Sequence, residues 1–296
     1  MEYRSVTFDE STRIGGGVSG SVYRLDEEKI LKVYAEGFSE DEVQRLYKIC
    51  ETLTNNGIDT AKTYEVVKAG NALGIIQEYI DGKPLPHLIA GKLESRKDAA
   101  VKMGQLCKKV HSIKADEDIF IPLSKMFEGI LSRCKGTLSP KEKDELNKLI
   151  DNLPGKKCVL HGDYHENNIL FKDGTYYLID LDSMCIGSPI FEFMQFFCVY
   201  ENPIPEEFQD MVDLRPEASL NFRRTFLKTY FGTDDERIID RCSECSSKLG
   251  DLNRLLGRCL QAKDEDKDSV RKYLDENFET IYGTAKDAVK QCEGLF

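Results

Sequence analysis

The sequence predicts an α+β fold in two lobes, a small antiparallel sheet lobe over residues 1–80 and a larger, mainly helical lobe over residues 81–296. Three observations predict it. Apolar residues alternate with a period of two through 1–36 and again through 63–80. From residue 85 onward they recur at helical spacing. One extended island, from Cys158 to Asp180, interrupts the helical part.

The elements follow in order. Thr7-Phe8 with Ile14-Gly15-Gly16-Gly17, then Ser21 to Leu25, then Lys29 to Tyr34 read as strand, glycine turn, strand, tight turn and strand. The period changes over 39–53, where Val43, Leu46, Tyr47, Cys50 and Leu53 share a helix face. Ser39 is the expected N-cap, and Asn55-Asn56-Gly57 stops the helix. Strands near 63–69 and 73–80, joined at Gly70-Asn71, complete a five-stranded antiparallel sheet with one inserted helix. Asp81 to Pro86 reads as a hinge. Helices are expected near 85–91, 95–113, 122–134, 139–152, 190–200, 217–230, 234–262 and 268–291. The island carries a hairpin with Asp173-Gly174 at its turn.

Composition bounds the function. The chain has 296 residues, 41% apolar and 31% charged, which supports a large core and argues against wholesale disorder. No apolar run approaches the roughly 18 residues that span a bilayer. Met1-Glu2-Tyr3-Arg4 opens no secretory signal, so a cytoplasmic location is expected. With 41 basic against 52 acidic side chains the net charge is −11, which disfavours nucleic acid and anionic membranes as main partners. The 10 cysteines are scattered and read as reduced, buried thiols. Cys242 and Cys245 form a CxxC with neither a second pair nor a nearby His to complete a zinc site. They read as a helical pair with one face exposed.

The island holds the chemistry. It reads His161-Gly162-Asp163-Tyr164-His165-Glu166-Asn167-Asn168-Ile169-Leu170, then Leu178-Ile179-Asp180-Leu181-Asp182. A carboxylate stands five residues before an Asn, and a second carboxylate ends a hairpin strand. Phosphoryl transfer uses such a set: one carboxylate orients the acceptor hydroxyl and takes its proton. An amide oxygen and another carboxylate hold Mg²⁺ against a polyphosphate.

This order of residues resembles the aminoglycoside phosphotransferase and choline kinase superfamily, a branch of the protein-kinase-like fold. The resemblance runs from about residue 10 to about residue 200, and Lys109 to Ile113 is similar to the family's Leu-His stretch. It implies Asp163 as catalytic base, with Asn168 and Asp180 as metal ligands. His161 supports the loop from within the core, and His165 lines the mouth of the site. Asp182 is left with two readings: contact with a second metal or substrate, or a pair with a nearby amide or base. The glycine segment, through Gly16, Gly17 and Ser19, is expected to cover the phosphates. It is no P-loop, because no Gly-Lys-Ser or Gly-Lys-Thr follows. Lys32 is expected to neutralise the α- and β-phosphates, held by Glu42, with Glu40 as the alternative. The nucleotide base is expected on the Glu78 carbonyl and the Ile80 amide, beside Gln77. Both ATP and GTP remain open as donors. Glu192 stands where related enzymes carry Asp as a brace for the catalytic loop, so a shifted or replaced brace is expected.

The acceptor is expected to be a small molecule such as an aminoglycoside, amino alcohol or sugar. Gly162 stands where protein kinases carry Arg, and only nine residues separate Asp180 from Ile190, too few for an activation loop. Phe191, Phe193, Phe196 and Phe197 read as helical core in preference to a pocket lining. A nucleotide-binding pseudokinase and an atypical protein kinase are the alternatives.

Overall fold

Alternation in the N-terminal part becomes a sheet of six strands, one more than the sequence predicts. The structure, a computed structural model, describes residues 3–17, 19–134, 136–201 and 216–296. It divides into two units, Met1–Leu85 with Glu166–Asp182, and Pro86–His165 with Ser183–Phe296.

In the first unit the strands are β1 (Ser5–Val6), β2 (Arg13–Gly17), β3 (Gly20–Arg24), β4 (Lys29–Tyr34), β5 (Thr63–Ala69) and β6 (Ala72–Glu78). Their order is β1-β5-β6-β4-β3-β2. The extra strand has a local cause. Asp9 caps a 3-10 turn at Glu10–Thr12, its carboxylate accepting the Ser11 N–H at 2.8 Å. This turn cuts the first expected strand in two, and Ser5 and Val6 pair in parallel with Lys68 and Ala69. Leu31, Val67, Ala69 and Ile76 form a buried cluster, with Val6, Phe8, Leu25 and Val33 packed on it. Helix α1 (Glu40–Asn55) buries Val43, Leu46, Ile49, Cys50 and Leu53.

The same unit holds a three-stranded sheet of β7 (Lys83–Pro84), β10 (Ile169–Lys172) and β11 (Thr175–Leu178), in the order β11-β10-β7. Asp173 and Gly174 turn the hairpin with φ of 51° and 86°, the positive pair that suits strand twist. The Leu178 N–H donates to the Asp59 carbonyl at 2.8 Å. The island's second half therefore groups with the sheet unit, although it lies within 81–296 in chain order.

The second unit contains α2 (Leu85–Ala90), α3 (Arg96–His111), α4 (Leu123–Arg133), α5 (Pro140–Asp151), α6 (Pro189–Glu201), α7 (Pro216–Phe231), α8 (Glu236–Gln261) and α9 (Lys267–Gln291). Their bounds fall within two residues of those expected. Helix α3 packs on α7, and α8 packs on both α6 and α9. A small sheet of β8 (Ile121–Pro122), β12 (Cys185–Gly187) and β9 (Cys158–Leu160) sits among them in the order β8-β12-β9. Phe191 and Phe193 are buried core residues, whereas the side chains of Phe196 and Phe197 lie outside the described residues. Cys242 and Cys245 are both buried, so the expected exposed face is not there. Among the described residues no helix is long and apolar enough to cross a membrane, and no group of three His, Cys, Asp or Glu is placed to hold a metal.

Candidate active site

Lys32 sits in the middle of the first unit's sheet, in register with Val22 on β3 and Ile75 on β6. Its Nζ lies 3.1 Å from Asp180 Oδ1 and donates a second bond to Asp182 Oδ2. The side chains of Lys32 and Asp182 are only 13% and 15% exposed, while that of Asp180 is 49% exposed. Burial works against the ammonium, but Asp182 and then Asp180 outweigh it and hold the Lys32 pKa above its ordinary value.

The expected Lys32–Glu42 pair is corrected by this arrangement. Glu42 is exposed at the first turn of α1, and its carboxylate accepts the Ser39 backbone N–H at 2.8 Å and the Ser39 hydroxyl at 2.7 Å. Ser39 Oγ in turn accepts the Glu42 N–H at 3.3 Å, which closes a capping box. Glu40, the alternative, accepts from the Tyr3 hydroxyl at 2.7 Å. The Ser-x-x-Glu spacing was the signal for this, and it outranks the helical-face argument.

Asp180 adopts φ of 58°, a left-handed conformation that costs a non-glycine residue energy and clusters at functional sites. The Ile179 N–H donates to the Asn168 carbonyl at 3.0 Å, so Asn168 and Asp180 sit one step apart at the same end of the hairpin. The Asn168 amide and the Asp180 carboxylate are hard oxygen donors of the kind that would hold Mg²⁺, which would supply charge neutralisation there.

The glycine segment forms the β2–β3 hairpin. Gly16 pairs with Ser21 and Gly17 with Gly20, and Ser19 lies beside the turn. The Ser19 carbonyl accepts the Ala35 N–H at 2.9 Å. Glu78 ends β6, where its N–H donates to the Lys62 carbonyl at 2.8 Å. The buried Ile80 turns the chain, its carbonyl accepting the Gly82 N–H at 2.8 Å. Gln77 Nε2 lies 3.7 Å from Cys50 Sγ, a thiol that burial and then Asp182 push up to about 12.

In the second unit, Glu192 on α6 is 1% exposed. Its two oxygens accept the backbone N–H groups of His161 at 2.7 Å and Gly162 at 3.0 Å. The brace is thus not replaced: Glu192 itself holds both amides. His111 Nε2 lies 3.3 Å from the same carboxylate, and its Nδ1 is 2.8 Å from the Tyr230 hydroxyl. His161 is fully buried, and its Nδ1 accepts the Asp163 N–H at 3.3 Å. Tyr164 anchors the loop from below, its hydroxyl donating to the Met103 carbonyl of α3 at 2.7 Å. Gly162 has φ of 80°, and a Cβ there would lie 2.1 Å from the Ser183 carbonyl, so the position excludes Arg as well as every other side chain. Above this frame the Asp163 side chain is 51% exposed, with His165 Nε2 3.6 Å from its carboxylate.

The sequence model of the phosphotransferase enzyme family matches residues 10–237. The chain belongs to this family. It is therefore a phosphotransferase with hydroxyl acceptors. No curated protein matches the phosphotransferase. Solved structures do, at low identity. The ADP-bound aminoglycoside phosphotransferase APH(2'')-Ib is 18% identical, with a TM-score of 0.60 over 94% of this chain and 93% of that one. The amicoumacin kinase hAmiN, in complex with AMP-PNP, Ca²⁺ and Ami, is 18% identical, with a TM-score of 0.60 over 96% and 90%. A choline/ethanolamine kinase family protein from Mesorhizobium loti is 15% identical, with a TM-score of 0.58 over 93% and 90%. These likenesses carry the kinase-like fold that the sequence motifs implied.

Proposed function

We propose that this phosphotransferase moves the γ-phosphate of ATP to a hydroxyl of a small acceptor, with Asp163 as the base. The observation that carries the reading is the 3.1 Å approach of Lys32 to Asp180, which puts a sheet ammonium and a strained hairpin carboxylate at one point. Lys32 serves the α- and β-phosphates. The backbone of Gly16 and Gly17, together with Ser19, covers the phosphates, and Glu78 and Ile80 hold the base through their main chain. Asn168 and Asp180 are the residues to hold Mg²⁺, which supplies charge neutralisation on the triphosphate. Glu192 fixes the loop so that Asp163 orients the acceptor hydroxyl and accepts its proton.

Adenine as the base is supported by the ADP and AMP-PNP named for two structural neighbours. A small acceptor is supported by Gly162, which leaves no place for the Arg that reads a phosphorylated loop. The neighbours' names point to hydroxylated amines as the first class to try. The nine described cysteines are free thiols, which suits a cytoplasmic setting. The test is ATP turnover over a panel of aminoglycosides, amino alcohols and sugars, with GTP as a second donor. The reading predicts acceptor-stimulated ADP release for at least one class, and ATP hydrolysis that no acceptor stimulates would contradict it.

A further inference from the structure

We infer that Asp182 is a positioning residue for nucleotide binding: it holds Lys32 in the role that kinase chemistry otherwise gives to a helix glutamate. The inference rests on the reading of Lys32 as a phosphate group's partner and of Asp180 as a metal ligand. A lysine on a four-carbon stem needs a fixed carboxylate to aim it. Two carboxylates touch Lys32, and both come from the end of the hairpin. Asp180 is half exposed and committed to the metal when the site is loaded. Asp182 is the more buried of the two, its side chain 15% exposed against 49% for Asp180. Glu42, the helix residue at hand, spends its carboxylate on the N-cap of α1. Asp182 is thus the carboxylate that stays with Lys32 once Asp180 turns to the metal.

A double-mutant cycle on ADP affinity, measured by calorimetry with Mg²⁺ present, tests this. Asp182→Asn and Lys32→Met are each expected to weaken ADP about tenfold, the worth of one charge-assisted hydrogen bond. The double variant is expected to bind no more weakly than Lys32→Met alone, because Asp182 acts through the lysine. Full additivity would overturn the inference and make Asp182 a metal ligand or a structural residue in its own right. Glu42→Gln retains the capping box and is expected to bind ADP within twofold of the parent. A tenfold loss there would return the role to Glu42, and this arm decides the matter if Asp182→Asn fails to fold. ADP binding needs neither acceptor nor Asp163, so failure here is separable from failure of the turnover test.

Discussion

The two ends of the island between Cys158 and Asp182 are held by opposite means. At the His161-Gly162-Asp163 end, one buried carboxylate, Glu192, fixes the backbone through two amides, and the Asp163 side chain is left half exposed. At the Asp180-Leu181-Asp182 end the side chains themselves are tied, both carboxylates to Lys32, with the backbone at positive φ at Asp180. The first arrangement fixes a loop and leaves its acid exposed, as the proposed base must be. The second keeps its charges paired, and on the proposed function they would re-pair with phosphate and metal. Backbone changes should therefore damage the first end, and charge changes the second.

The largest effect is expected at Gly162. Gly162→Ala places a Cβ against the Ser183 carbonyl in a left-handed conformation. A cost of about 2–4 kcal/mol in urea unfolding follows, with turnover largely lost. Unchanged stability would remove the backbone half of the comparison. A smaller loss is expected for Glu192→Gln. The amide can present an oxygen to only one N–H and sets its own NH₂ against the other, costing about 1–3 kcal/mol. Turnover should fall while ADP affinity stays near the parent's, because the Lys32 cluster is held independently. A matched loss of ADP affinity would show the two ends to be coupled.

The smallest effect serves as a reference away from both ends. Glu142 on α5 pairs with both terminal nitrogens of Arg271 on α9, each at 2.7 Å. Burial alone would raise its carboxyl, but Arg271 and the Ser139 cap hold it down at about 2. In the unfolded chain it titrates near 4.5. The unfolded state then binds more protons between these values, so this contribution is full above about pH 4.5 and fades as pH falls towards 2. Glu142→Gln should lose about 1 kcal/mol at neutral pH and should flatten this acid slope in urea titrations. An unaltered slope would assign the acid sensitivity elsewhere.

Much of this was legible in the sequence because the signals were local. The eight helix spans and the Asp173-Gly174 hairpin follow from period and turn chemistry, and the Asp163, Asn168 and Asp180 spacing pointed to the family. What escaped depended on pairings across the chain. Ser5 and Val6 become a parallel edge strand only because Lys68 and Ala69 of β5, far along the chain, receive them. Tyr230 reaches His111 across 119 positions, and no local pattern announces it. Glu42 failed for a different reason. Its helical face suggested Lys32, but the nearer Ser39 captured its carboxylate, and Asp182, left open between metal and base, took the lysine.

The central claim is that Asp163 acts on the acceptor while the hairpin and Lys32 bind the nucleotide. Asp163→Asn, compared with the parent for acceptor-dependent turnover and for ADP affinity, tests it most directly. The account predicts turnover down by about two or more decades with ADP affinity retained. Turnover within a few-fold of the parent would contradict it.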